Sequence, residues 1–217
     1  MKPTRVCVAL IAAAGLSACA TVDTATRNAP AVAPVTEMTA AIGTRSAVQA
    51  PYAVQRVDVR VPETLKVSEA NTFFPHADIV WREDPLGNRY AQVHDIVQGA
   101  ADAAVAGATE GRPVILDLQL VRFHALTEKT RYTIGGTHDI HFFLTVFDAE
   151  TGAEIEAPQL IQLEFEAYGG ARALEAMSRG ETQKLRISQH VNDAIRAAMH
   201  LPDPAQAPAP ISLSALN

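Results

Sequence analysis

Cysteine is almost missing from this 217-residue chain, which has two, Cys7 and Cys19. Both fall near the start, so no disulfide and no thiolate chemistry is available to a domain downstream. Such a domain has to stand on its hydrophobic core. Aromatic residues are sparse, with one Trp, four Tyr and seven Phe. Basic residues are outnumbered, 18 against 24 acidic ones. That deficit argues against nucleic acid, whose phosphates need a basic stripe. It also argues against a protein held on anionic lipid by charge. Nor is there an apolar run of the roughly 20 residues that a spanning helix requires.

What the chain does have begins at its first residues. Met1-Lys2-Pro3-Thr4-Arg5 is a short positive segment, and Val6 to Leu16 follows without a charge. This is the layout of a signal peptide. Leu16-Ser17-Ala18-Cys19 then resembles the lipobox of bacterial lipoproteins, a large aliphatic residue and two small ones before a cysteine. The small side chains let a membrane protease approach the bond before Cys19, whose thiol has to reach a lipid donor. The resemblance implies that residues 1–18 leave as a signal peptide and that Cys19 carries the lipid. Ala20, where an Asp would signal retention, implies the outer membrane, on its periplasmic face. Acyl burial worth about 0.8 kcal/mol per CH₂ makes a multi-chain anchor nearly permanent. Loss of Lys2 and Arg5 lowers the basic count from 18 to 16 against 24 acids, a net charge of about −8.

From Cys19 to Pro51 the chain is rich in Ala, Thr, Val and Pro without a usable period, as in Asn28-Ala-Pro-Ala-Val-Ala-Pro34. Residues 19–51 therefore read as a lipidated N-terminus and a disordered tether. Residues 202–217 read as a disordered Pro/Ala-rich tail. Between them, residues 52–201 form one domain. Val57–Val61 alternates as a strand, and Leu65–Asn88, broken by Pro75 and Pro85, predicts irregular chain with one short strand. Arg89–Thr109 predicts a helix that buries Val93, Ile96, Val97, Ala100 and Ala104, with Gly111 available to close it. Pro113–Thr127 predicts a strand with Val114, Leu116, Leu118 and Leu120 inward. The apolar parity then flips to Val121 and Phe123, which implies a bulge or a change of edge near Val121.

After the loop Glu128–Gly136, a strand places Ile140, Phe142, Leu144 and Val146 on one face. Asp148–Gly152 predicts a hairpin turn. The next strand turns Ile161, Leu163, Phe165 and Ala167 inward, with Gln162, Glu164 and Glu166 outward. A helical region follows, interrupted at Gly180, with Ile187, Val191, Ile195 and Met199 as its buried stripe. The expected fold is α+β: a two-layer sandwich in which a mainly antiparallel sheet of about four strands is covered by two helices.

Leu65–Asn71, Ala77–Arg82 and Arg122–Tyr132 resemble an uncharacterised family of alphaproteobacterial lipoproteins with a domain of unknown function. The resemblance implies a lipoprotein of that kind and carries over no catalytic residue. The residues themselves offer few sites. His124, His138 and His141 are the available zinc donors, but His138 and His141 fall on opposite faces of a strand. His138 reads as a strand-start residue beside a loop, so His138→Ala should hardly change thermal stability. Asp117, Glu164 and Glu166 alternate with buried residues, as solvated carboxylates do. Ser68, Ser178 and Ser188 lack a nucleophile setting. Gly135-Gly136, near Lys129 and Arg131, reads as a flexible hairpin tip rather than a phosphate cradle. Phe73, Phe74 and Trp81 concentrate aromatics in one Pro-broken stretch, which makes them core lining or a contact for a partner or ligand.

The expectation is an accessory or interaction module of the envelope, not an enzyme, with no cofactor and no metal. Its partners are the membrane, through the lipid, and an envelope protein. The alternatives are a lipoprotein binding a lipid or small apolar ligand in a groove between sheet and helices, and a metal-dependent hydrolase using the three histidines. Limited proteolysis of the full chain is expected to trim residues 20–50 and 203–217 and leave a core of about 150 residues. A resistant full-length product would contradict this division.

Overall fold

The computed structural model describes residues 52–201. The expected signal peptide, the lipidated Cys19, the tether and the tail lie outside the described residues. The domain starts with strand β1 (Tyr52–Arg60), the short β2 (Ile79–Val80), helix α1 (Arg89–Val105) and strand β3 (Arg112–His124). One turn of helix, α2 (Glu128–Arg131), precedes β4 (Gly136–Asp148) and β5 (Glu154–Ala167), and α3 (Gly170–Ser178) and α4 (Gln183–Ala198) complete it.

β3 is the hub of a mixed sheet. β4 pairs antiparallel on one side of it and β5 extends the sheet from β4, while β1 and β2 pair parallel on the other side. β1 runs along Arg112–Gln119 and β2 along Phe123–His124, so the two short partners lie end to end. The register shift between Leu120 and Arg122 sits where they change over. Both effects expected near Val121, the bulge and the edge change, are therefore present. β1 begins at Tyr52 rather than Val57, because its first residues pair with the start of β3 across a second irregularity between Val54 and Arg56.

The sheet buries the face expected. Leu116 lies opposite Val146, Leu118 opposite Leu144, Leu120 opposite Phe142, and beyond the bulge Phe123 opposite Ile140. All eight are buried. At about 1.5–3 kcal/mol per large apolar side chain, this is the chief stabilising layer. Helices α1 and α4 cover it with Val93, Ile96, Val97, Ala100 and Ala104 from one and Ile187, Val191, Ile195 and Met199 from the other. They run side by side in the same direction: Lys184 Nζ meets Asp84 Oδ1 just before α1 at 2.8 Å, and Arg196 Nη1 meets Ala104 O at 2.7 Å. The result is the two-layer α+β sandwich, with two parallel pairings in an otherwise antiparallel sheet.

Local chemistry sets the element ends. Asn88 caps α1 by accepting from Ala91 N at 3.2 Å, and Thr182 caps α4 by accepting from Leu185 N at 3.2 Å. α1 stops at Val105, short of Thr109, and Gly111 with φ 111° turns the chain into β3 instead of closing the helix. In the β4–β5 turn, Asp148 Oδ1 accepts from Glu150 N, Thr151 N and Thr151 Oγ1. The Thr151 backbone N–H and the Arg112 guanidinium hold this carboxyl well below the usual range.

Gly135 is no flexible tip. Its backbone, at φ 72°, is packed against Gly169, and a Cβ on Gly169 would fall 1.9 Å from Gly135 N and 2.4 Å from its Cα. This contact locks the α2–β4 turn to the end of β5. Gly169→Ala should therefore destabilise the protein by about 3 kcal/mol or more in denaturant melts. Gly99→Ala, on α1 with nothing within 4 Å of the added methyl, should stabilise it by up to about 1 kcal/mol. Equal midpoints for the two variants would show that the glycine contact is not tight.

Candidate functional site

The sheet has two unlike ends. Tyr52, the β4–β5 turn and Leu201 mark one, where Val54 N donates to Ala108 O just after α1. The other collects the end of β3, α2, the start of β4, the end of β5, α3 and the first turns of α1 and α4. Of seven exposed large hydrophobics among the described residues, Phe74, Leu86, Tyr132, Ile134, Leu174 and Leu185 belong to this second end, and only Leu160 does not.

A charged network braces the loop of residues 61–88 there. The guanidinium of Arg89, almost fully buried, donates to both carboxylate oxygens of Glu69, at 2.6 and 3.0 Å, and to Gln92 Oε1 at 2.7 Å. Arg89 thereby holds the Glu69 carboxyl below its ordinary range. Arg82 bridges Glu69 and Glu128. Arg131, also buried, reaches Glu83 Oε2 at 3.0 Å, and the same oxygen accepts from Gln183 N at the start of α4. Burial opposes ionisation of Asp84, but Lys184 and the Trp81 indole N–H outweigh it and keep the carboxyl below its usual range. Breaking a buried pair of this kind strands a charge, so the network fixes the loop even where its net contribution is small.

Within this frame the three aromatics separate. Trp81 is fully buried, edge-on to Phe123 with centroids 5.7 Å apart, and its Nε1 donates to Asp84 Oδ2 at 2.8 Å. It is core and cannot be a surface contact, because β2 lays it beside the last residues of β3. Phe73 is half-buried beneath Lys129, whose Nζ stands 4.5 Å from the ring centroid. Phe74 alone is a surface side chain, 77% exposed. Leu86, Tyr132, Ile134, Leu174 and Leu185 were missed in the sequence. The available signal was a large apolar residue inside a polar loop, as at Ile134, or off the buried stripe of a helix, as at Leu174 and Leu185.

The three histidines do not converge. His138 faces the helices, fully buried, 5.1 Å from the ring of Phe165, which stacks on His190 at 3.7 Å. Neither of its ring nitrogens has a hydrogen-bond partner. Burial, together with nearby Arg186, His190 and Arg131, pushes its pKa down to about 3, so it is a neutral core residue. His141 points to the opposite face, beside Asp139. His124 meets Pro75 O through Nε2 at 3.1 Å. Of the outward carboxylates, Asp117 pairs with Arg60 and Glu166 with Arg172. Lys129 and Arg131 turn to Phe73 and Glu83, so no phosphate cradle forms at Gly135-Gly136. Ser68 and Ser178 make local turn and helix-end hydrogen bonds.

A solvent-side groove of about 680 Å³ runs between α1 and α4, lined by small and polar residues such as Gly99, Ala103, Ser188 and Asn192. No Phe, Tyr or Trp lines it, and it lies outside the sheet–helix interface, which the core fills. It is therefore not the expected apolar groove between sheet and helices. None of the described helices is long and apolar enough to cross a membrane.

These features define a two-layer α+β domain with one loop end braced by buried ion pairs and tipped with apolar side chains. The chain belongs to the DUF6778 family, a family of unknown function whose model matches residues 52–214. Among solved structures it is similar to a candidate lipoprotein of Caulobacter crescentus CB15, at 16% identity over 49% of this chain and 79% of that one, with a TM-score of 0.28. It is also similar to a DUF330-family protein of Xanthomonas campestris, at 9% identity over 72% and 89%, with a TM-score of 0.42. No curated protein matches it.

The burial of His138 reverses the expectation for His138→Ala, which should cost about 2 kcal/mol or more by opening a cavity. It also sets a pH dependence. The unfolded chain takes up a proton near 6.5, and the folded one only near 3. Stability from this group is thus complete above pH 6.5 and falls as the pH drops towards 3, by about 1.4 kcal/mol per unit. His124 and His190, also depressed by burial, add to the slope. Urea melts between about pH 4.5 and 7.5 should show the slope reduced in His138→Leu; an unchanged slope would show that His138 does not titrate as described.

Proposed function

We propose that this protein is a non-enzymatic, lipid-anchored envelope protein that binds a partner protein through its braced loop end. The observation that carries the reading is the placement of six exposed apolar side chains at the end opposite Tyr52. The described domain begins at Tyr52, at the other end of the sheet from these side chains, and Cys19 and residues 20–51 precede it in the chain. Isolated surface hydrophobics are ordinary, but several on neighbouring loops and helices of a rigid frame make a contact surface. The lipobox at Leu16–Cys19 supports the anchor, and Ala20 supports the periplasmic face of the outer membrane.

Two measurements test this. Cys19→Ala should accumulate unprocessed precursor and lose incorporation of labelled palmitate; continued labelling would remove the anchor from the proposal. A photocrosslinker at Ile134, in the full chain in native membranes, should give a discrete protein adduct that Phe74→Asp abolishes. The same probe at Leu160 should give none. Adducts to lipid alone, or equal adducts from both positions, would overturn the partner surface.

A further inference from the structure

We propose that Asp139, His141 and Glu164 form a binding site for one divalent transition-metal ion on the sheet face away from the helices. Asp139 and His141 are two residues apart on β4 and so share a face. Glu164 is the direct partner of Asp139 across the β4–β5 ladder. Strand geometry alone thus brings an imidazole and two carboxylates together, and one donor atom from each lies within 4.8 Å of the others.

The detail of the contact favours a cation. His141 Nε2 stands 2.6 Å from Asp139 Oδ1. Both atoms are shielded from solvent, and the approach lacks the geometry of a hydrogen bond, leaving each without such a partner. Arg122 Nε engages Asp139 Oδ2, which orients the carboxylate so that Oδ1 faces the imidazole. An outer-sphere hydrogen bond of this kind is how metal-binding carboxylates are held in place. Glu164 is exposed and supplies the side from which an ion enters.

One nitrogen and two oxygens without sulfur suit Zn²⁺, Mn²⁺ or Co²⁺ rather than softer ions. Ligand bonds of about 2.0–2.2 Å put neighbouring donors roughly 3 Å or more apart, so Oδ1 and Nε2, 2.6 Å apart without an ion, part slightly to admit one. With three protein ligands, further positions remain for water. His138, though close in sequence, takes no part because it lies on the other face.

The test is calorimetric titration of Zn²⁺ into full-length protein in detergent, stripped beforehand with EDTA. One ion per chain is expected. Glu164→Gln and His141→Gln should each weaken binding by about tenfold or more, while His94→Gln, a half-exposed histidine on α1, should not change it. Glu164 is a surface residue of nearly the same shape as Gln, so that variant tests the site even where His141→Gln is poorly folded. Binding with unchanged affinity in Glu164→Gln, or no saturable binding to the wild-type chain, overturns the proposal.

Discussion

The bulge at Val121 in β3 is the constraint on which the rest of the domain depends. Before it, β3 sends Leu116, Leu118 and Leu120 into the core and pairs with β1. After it, Phe123 takes the inward position and the neighbour becomes β2. A strand that continued in phase would have pointed Phe123 to solvent and left Trp81 without the ring it packs against. One inserted residue therefore decides both the continuity of the core and the placement of the loop that carries Trp81.

That loop is pinned in the core by Ile79, Val80 and Trp81 and braced by charge. Arg89 and Arg131 are buried and meet Glu69 and Glu83, tying the loop to α1, to α2 and to the start of α4. The close approach of Gly135 to Gly169 adds a backbone contact that has no room for a side chain. Rigidity at this end lets Phe74 and Ile134 stay exposed without the loops collapsing over them. It is also why the domain has two unlike ends, one holding Tyr52 and Leu201 and one presenting apolar tips.

The sheet divides the chemistry by face. His138 lies in a helix-covered layer where a charged imidazole would be costly, and it stays neutral. His141, three residues on, lies on the open face among Asp139, Arg122 and Glu164. The same side-chain type is packing material on one side and the proposed metal ligand on the other, with only strand parity separating the two.

The sequence alone determined the periodic parts. Alternation in Val114–Leu120, Ile140–Val146 and Ile161–Ala167, and the helical stripe of Val93–Ala104, report burial directly, because each side chain's face follows from its place in a local repeat. The parity flip at Val121 was legible for the same reason. Tertiary structure decided what depends on partners distant in the chain. Trp81 became core rather than surface because β2 docks on β3 more than forty residues away. His138 became fully buried because Phe165 and α4 close over it, and Glu164 joined Asp139 through a register set by the turn at Asp148–Gly152 together with the two irregularities between Leu144 and Phe147. Local periodicity contains none of these contacts, since each is a choice of neighbour made only when the sheet assembles.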